Sequence, residues 1–160
     1  MKIRAILNRD GGTLRTMDLD ALSARAVDIF GGEGHELDCR IVAGAAMESE
    51  LEAAAEDPDV EAVLAGGGDG TVSAAAAVAF RSGKPLGVLP AGTMNLFARA
   101  LGMPLDLEQA LLTIAKGRVS RVDIATANGR PFVHQFGVGI HARLVRIRNG
   151  MVYGSRGGKM

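Results

Sequence analysis

Gly66-Gly67-Gly68-Asp69-Gly70-Thr71 lies between an apolar run at 60–65 and an alanine-rich stretch at 71–80, and its reading decides the fold. Four glycines in six residues let the backbone approach a polyanion closely, because no Cβ intervenes and positive φ is open to them. A helix beginning at 71 would aim unpaired N–H groups and its positive dipole end back at that loop. Asp69 is the odd member. Beside phosphates an aspartate serves better by holding a cation or taking a proton than by touching the anion. The loop therefore reads as a site for a metal-bound nucleotide, and the chemistry as phosphoryl transfer.

Working outward, strand and helix alternate. An apolar strand at 3–7 ends in the turn-rich Asn8-Arg9-Asp10-Gly11-Gly12-Thr13. A helix is predicted over 18–30, with Leu19, Leu22, Ala26 and Ile29 on one face and Gly31-Gly32 as its stop. A strand at 35–42, a helix at 47–56, the strand at 60–65 and the helix at 71–80 follow. A fourth strand at 86–89 closes in Pro90-Ala91-Gly92-Thr93, and another helix begins near Asn95 and ends around Leu101-Gly102. Such alternation predicts an α/β fold with a parallel sheet covered by helices on both faces. Ligands of these sheets bind beyond the carboxyl ends of the strands. The loops at 8–13, 66–71 and 90–95 all leave those ends, and all are rich in Gly, Asn or Thr.

A helix at 107–116 is the last of this series. Residues 121–128, the turn Asn128-Gly129-Arg130-Pro131 and residues 132–137 read as a β-hairpin, which breaks the alternation. The expectation is a nucleotide-binding α/β domain over 1–118 and the beginning of a β-rich second domain over 119–160. The closing Gly154-Ser155-Arg156-Gly157-Gly158-Lys159-Met160 completes no element.

Nearly half the residues are apolar and 22% are charged, as in a globular protein. There is no Trp and one Tyr, so the core must be aliphatic, and the stacking platforms of single-strand nucleic-acid binders are missing. Net charge is zero but unevenly spread. Between Asp18 and Glu61 there are thirteen acids against Arg25 and Arg40 alone. After Asp123 there is no acid, while Arg130, Arg143, Arg146, Arg148, Arg156 and Lys159 follow. That basic stretch reads as a solvated face or as a surface near anionic lipid or phosphate. Cys39, the single cysteine, reads as a small buried hydrophobe. Met1-Lys2-Ile3-Arg4 runs straight into a strand without a signal peptide, and no apolar stretch is long enough to span a bilayer. A reducing, cytoplasmic location is expected.

Other motifs fall away. The Lys-Ser/Thr end of the Walker P-loop is absent. Gly137-Val138-Gly139-Ile140-His141-Ala142 has the glycine spacing of a dinucleotide fingerprint, but no acid follows to hold a ribose. His35, His134 and His141 lack the spacing of metal ligands, and no Gly-x-Ser-x-Gly elbow occurs.

With Pro90-Ala91-Gly92-Thr93-Met94-Asn95-Leu96-Phe97-Ala98-Arg99 read alongside the glycine loop, the chain resembles the catalytic domain of the diacylglycerol/sphingosine lipid kinase family in its bacterial form. Members carry GGGDGT and, about two dozen residues later, P-x-GT-x-N-x-[FL]-AR. Asn8 and Gly12 match a further Asn and Gly of the first loop. The resemblance covers nearly the whole chain. It implies a three-layer parallel-sheet domain similar to that of NAD kinases and phosphofructokinases. It also implies transfer of the γ-phosphate of ATP, with Mg2+, to a lipid hydroxyl. By the same resemblance ATP would contact Asn8, Gly11, Gly12, Gly66, Gly67, Gly68, Gly70, Thr71, Val72, Thr93 and Asn95. Asp69 would be catalytic, handling Mg-ATP (and so the metal) or deprotonating the lipid.

The chain departs from the family pattern at several points. Arg9 stands where a Pro is usual, Leu96 where an Asp is frequent, and Ile41-Val42-Ala43-Gly44 lacks an expected Thr. His134 and His141 stand where many members have Asn and Asp. Alternatives are an NAD kinase-like or sugar kinase-like enzyme, or a non-catalytic nucleotide-binding module. Partners expected are a lipid at the inner membrane surface, met transiently and peripherally, and no nucleic acid. The β-rich stretch reads as truncated. These 160 residues are therefore expected to be inactive alone and open to homo-oligomer formation through 122–138.

Overall fold

The structure is a computed structural model that describes residues 1–140, 142–144 and 147. The element order is β1 (Lys2–Asn8), α1 (Leu19–Gly32), β2 (Glu36–Val42), α2 (Met47–Glu56), β3 (Ala62–Gly67), α3 (Asp69–Ser82), β4 (Leu86–Pro90), α4 (Leu96–Ala100), α5 (Leu107–Lys116), β5 (Ala125–Ala127) and β6 (Arg130–Phe132). Short 3-10 turns at Gly12–Thr16 and Gly44–Ala46 follow β1 and β2.

The first four strands make one parallel sheet in the order β2-β1-β3-β4. Helices cover both of its faces, and β1 shows why. Ile3, Ala5 and Leu7 pack with Ala26, Ile29 and Phe30 of α1 and with Ala110, Leu111 and Ala115 of α5. Ile6, one step out of phase, packs on the opposite face with Met47, Leu51 and Ala54 of α2 and Ala75 and Val78 of α3. β3 is buried at all six positions, as a central parallel strand between two helical layers must be. Ending β4 on Pro90 is tolerated because this is an edge strand, where a missing N–H leaves no gap in the ladder.

Local chemistry sets most boundaries. Asp18 caps α1 by accepting the Ala21 N–H at 3.0 Å, and Asp106 caps α5 through the Gln109 N–H at 2.9 Å. Gly31-Gly32 does not stop α1, contrary to expectation, since both residues are helical. The stop is Gly34 at φ 77°, where the His35 N–H reaches the Phe30 carbonyl at 2.9 Å and the Gly34 N–H that of Gly31 at 3.1 Å. α3 begins at Asp69 rather than at residue 71, so Asp69 and Gly70 form its first turn.

The hairpin is shorter than expected, three residues per strand. Asn128 at φ 50° and Gly129 at φ 75° form the two-residue turn that joins Ala127 to Arg130. It is a sheet of its own, separate from the four-stranded one, with β6 lying against α3. The readings made for His141, Arg146, Arg148, Arg156, Lys159 and the glycine-rich end lie outside the described residues.

Candidate functional site

The strand order places β1 beside β3, and the connections leave these two strands toward opposite sides of the sheet. In open parallel sheets such a switch point is where the crevice for ligands lies, at the carboxyl ends of the two strands. The three glycine-rich loops meet there. The Asn8 carboxamide, at the end of β1, donates from Nδ2 to Thr71 Oγ1 at 3.1 Å, crossing from β1 to α3. Its Oδ1 accepts the Asp10 N–H at 3.0 Å, and Asp10 Oδ2 accepts the Gly44 N–H at 2.8 Å. The loop after β2 is thereby tied to the loop after β1. On the other side the Thr13 N–H donates to the Ala91 carbonyl at 2.8 Å, and the Ala91 N–H to that of Gly67 at 3.0 Å.

The glycines divide by what a side chain would meet. A Cβ on Gly66 would lie 2.5 Å from Leu7 Cδ2, one on Gly67 2.6 Å from Thr71 Oγ1, and one on Gly92 2.5 Å from Gly68 Cα. Gly12, at φ 45°, would collide with the Ala91 carbonyl, and Gly11 would press on Asn8 at 3.2 Å. Gly12 and Gly92 face backbone and Gly67 faces the Thr71 Cβ, whereas Gly66 and Gly11 face side-chain ends that would have to give; all five are constrained by the protein's own packing. Gly68 and Gly70 are not. A Cβ on Gly68 has one neighbour, Gly92 Cα at 3.5 Å, and one on Gly70 has none within 4 Å. Gly68 has φ −84°, so left-handed backbone is not the reason for its glycine. Both border open space at the start of α3.

That helix start is itself open. Gly68, the N-cap, makes no side-chain hydrogen bond, and the first capped turn appears only where the Val72 N–H reaches the Gly68 carbonyl at 3.0 Å. Among the described residues no acceptor meets the N–H groups of Asp69, Gly70 and Thr71. Three unpaired donors thus stand at the start of a 14-residue helix, with no side chain on Gly68 or Gly70 to cover them, an arrangement able to receive an anion.

Asp69 faces the other way. Its carboxylate accepts the Asn95 N–H through Oδ2 at 3.0 Å and the Leu96 N–H through Oδ1 at 2.7 Å. Asn95 is buried in the left-handed region at φ 51°, and its carboxamide closes a ring on Gly92, accepting that N–H and donating to that carbonyl at 2.8 Å each. Thr71 is also buried. Val72 packs with Val88 and Ala98 in the core, so its side chain does not reach the crevice. Thr93 is exposed, and among the described residues its hydroxyl makes no hydrogen bond.

The structure therefore brings Asn8, Gly11, Gly12, Gly66–Thr71, Thr93 and Asn95 to one sheet edge. Asp10, Gly44 and Gly92 join them. The close-approach role of Gly92 could have been suspected from its place in Pro90-Ala91-Gly92-Thr93, but its neighbour, 24 residues away, carries no local signal. A groove of about 310 Å³ at the hairpin, lined by Asp123, Phe132 and His134 among others, is separate from this edge; His134 Nδ1 has no partner among the described residues. Away from the site, burial pushes the Cys39 thiol pKa up, with Asp38 adding to the rise and a hydrogen bond with Ser23 opposing it.

Residues 2–127 match the family model described as the diacylglycerol kinase catalytic domain, and the chain belongs to that family. It is 43% identical over 77 residues to a Yersinia enterocolitica protein named "Probable lipid kinase YegS-like", covering 46% of this chain and 26% of that one. It is 38% identical over 80 residues to a diacylglycerol kinase of Staphylococcus saprophyticus, covering 49% and 26%. A crystal structure of a diacylglycerol kinase from Bacillus anthracis superposes with a TM-score of 0.69 at 29% identity, over 82% of this chain and 49% of the other. The chain thus spans about half the length of that solved relative, and its matched stretches about a quarter of the two curated ones. The protein is accordingly a lipid kinase family member with a kinase catalytic fold.

Proposed function

We propose that this chain is the nucleotide-binding half of an ATP-dependent lipid kinase acting on diacylglycerol or a related lipid hydroxyl. The observation that carries the reading is the open N-terminus of α3, flanked by Gly68 and Gly70 without packing reasons for their glycines, in a chain of this family. Polyphosphate fits a cradle of backbone donors at a helix start. Mg2+ fits too, on the chemistry of the donors. It is usually held by one or two carboxylates together with substrate phosphates; of the two carboxylates at this edge Asp69 has both oxygens engaged by backbone N–H groups, which leaves Asp10 to assist the phosphates. Among the described residues no cluster of three or more His, Cys, Asp or Glu offers a protein-only cage.

Mg-ATP supplies the transferable γ-phosphoryl group. The lipid oxygen attacks γ-phosphorus, the bond to the β–γ bridging oxygen breaks, ADP leaves, and the hydroxyl proton passes to a carboxylate or to solvent. An alkyl alcohol is a poor nucleophile, so alignment and charge neutralisation carry most of the rate. The chain's contribution is the N–H groups of residues 69–71, the room at Gly68 and Gly70, and the Asn8–Thr71 bridge that holds the two sides of the crevice in register.

The reading extends to the rest of the molecule. Residues from 119 onward would begin a β-rich lipid-binding domain, and the separate hairpin sheet supports this. The chain spans about half the length of the solved relative, so lipid phosphorylation is proposed of the whole protein and nucleotide binding of the residues given. Val119, Val122, Phe136 and Val138 are exposed, and the same stretch of sequence carries Arg118, Arg121 and Arg130, with Arg143 following. No helix of the described residues is long and apolar enough to cross a membrane, so contact with the inner membrane surface would be peripheral, rising with anionic lipid and fading with salt. Pairing between copies through 122–138 would compete with it.

Radiolabelled ATP, offered with diacylglycerol, a sphingoid base, ceramide and NAD to the full-length protein, tests the proposal. Label in a lipid supports it. Label in NAD alone would place the protein with NAD kinases, and no transfer at all with intact ATP binding would make it a non-catalytic module.

A further inference from the structure

The two oxygens of Asp69 are both engaged by backbone N–H groups 26 and 27 residues further along the chain. These donors belong to the first turn of α4, whose N-cap residue, Asn95, supplies no capping bond of its own. Asp69 therefore caps a helix other than the one it begins. Asn95 completes the joint. Its left-handed backbone turns the chain, and its carboxamide bonds to both the N–H and the carbonyl of Gly92. Gly92 is then seated so closely on the start of α3 that a Cβ there would lie 2.5 Å from Gly68 Cα and 3.4 Å from the Asp69 nitrogen.

Resting on the nucleotide reading, we propose that Asp69 is a positioning residue. With Asn95 it forms a clasp that fastens the loop after β4 onto the N-terminal turn of α3, making the turn at 92–94 the second wall of the cradle. Asp69 sits at the anion site yet directs its charge away from it, onto the N–H groups of α4. This resolves the oddity of an acid in a phosphate loop. An anion bound at residues 69–71 meets backbone donors, while the carboxylate beside it is occupied in holding the opposite wall. Thr93 and Met94 form the exposed crest of that wall, and their placement follows from the clasp.

The test combines ATP titration calorimetry with amide hydrogen exchange on the 160-residue chain. In Asp69→Asn the NH2 group cannot accept, so one donor loses its partner; exchange at Asn95 or Leu96 accelerates about tenfold or more. ATP affinity falls by about three- to tenfold in the same variant. Asn95→Gly keeps the left-handed backbone and the N–H to Asp69 but loses the ring on Gly92. It weakens ATP by a similar factor with Asp69 untouched, and Asn95→Asp, which retains the acceptor for the Gly92 N–H, recovers part of the loss. Asp106→Ala, which uncaps α5 away from the cleft, lowers thermal stability without moving ATP affinity and so separates positioning from general destabilisation.

Wild-type ATP affinity in Asn95→Gly alongside weakened binding in Asp69→Asn would overturn the clasp and assign Asp69 a direct contact. Unchanged exchange at Asn95 and Leu96 in Asp69→Asn would overturn it as well. Failure of the wild-type chain to bind ATP would instead contradict the nucleotide reading, with the exchange rates still deciding whether the clasp exists.

Discussion

Asn8 Nδ2 donates to Thr71 Oγ1 at 3.1 Å, joining the end of β1 to the first turn of α3 across the point where the strand order reverses. The bond bridges residues 63 apart in sequence at the mouth of the crevice. Asn8→Ala leaves the buried Thr71 hydroxyl without its donor, at a cost of about 1 kcal/mol. Urea unfolding should show that loss with an unchanged m-value.

The division among the glycines has opposite consequences for stability and for binding. Gly66→Ala places a methyl against Leu7 in a fully buried strand and should cost about 1–3 kcal/mol. A Cβ at Gly70 meets open space and one at Gly68 only Gly92 Cα at 3.5 Å, so Gly70→Ala changes thermal stability little and Gly68→Val costs less than Gly66→Ala, while ATP affinity in calorimetry falls markedly in both. Gly68→Val with wild-type affinity would reduce this loop to a structural turn.

Thr93 is exposed and caps nothing, since α4 is capped by Asp69. Thr93→Ala is expected to raise the Kd for ATP and leave the melting temperature alone. Were it a cap, the substitution would cost about 1 kcal/mol of stability with affinity intact.

The raised pKa of Cys39 keeps the thiol protonated near neutrality, so alkylation by iodoacetamide should be slow in the native protein and fast in denaturant. The sign for stability follows from the same shift. The unfolded chain releases the thiol proton first, so this contribution is complete below about pH 8.5 and declines as pH rises beyond it. Cys39→Ser should flatten that alkaline limb of a stability–pH profile.

Most of the sheet was legible because its signals are local. Periodicity and turn chemistry place β1 through α5, and α2 and α5 begin and end where their apolar spacing says. Misreadings arose where a local rule met a distant contact. Gly31-Gly32 looks like a stop, but α1 continues until Gly34 supplies the positive φ. Asp69 and Gly70 read as loop because glycines disfavour helix, yet they are its first turn, with Asp69 spent on α4. The three loops could be assigned to one edge by topology alone. Which glycines serve packing and which leave room could not, because Leu7, Thr71 and Gly92 approach them only in the folded chain.

The central claim is that nucleotide polyphosphate sits on the start of α3. Titrating ATP with Mg2+ into isotopically labelled protein and following backbone amide shifts tests it most directly. The account predicts that the amides of Asp69, Gly70 and Thr71 move most, with those of Asn8, Gly11 and Gly12 moving alongside and the hairpin at 125–132 staying still. Saturable shifts confined to the hairpin, or none at millimolar ATP, would contradict it.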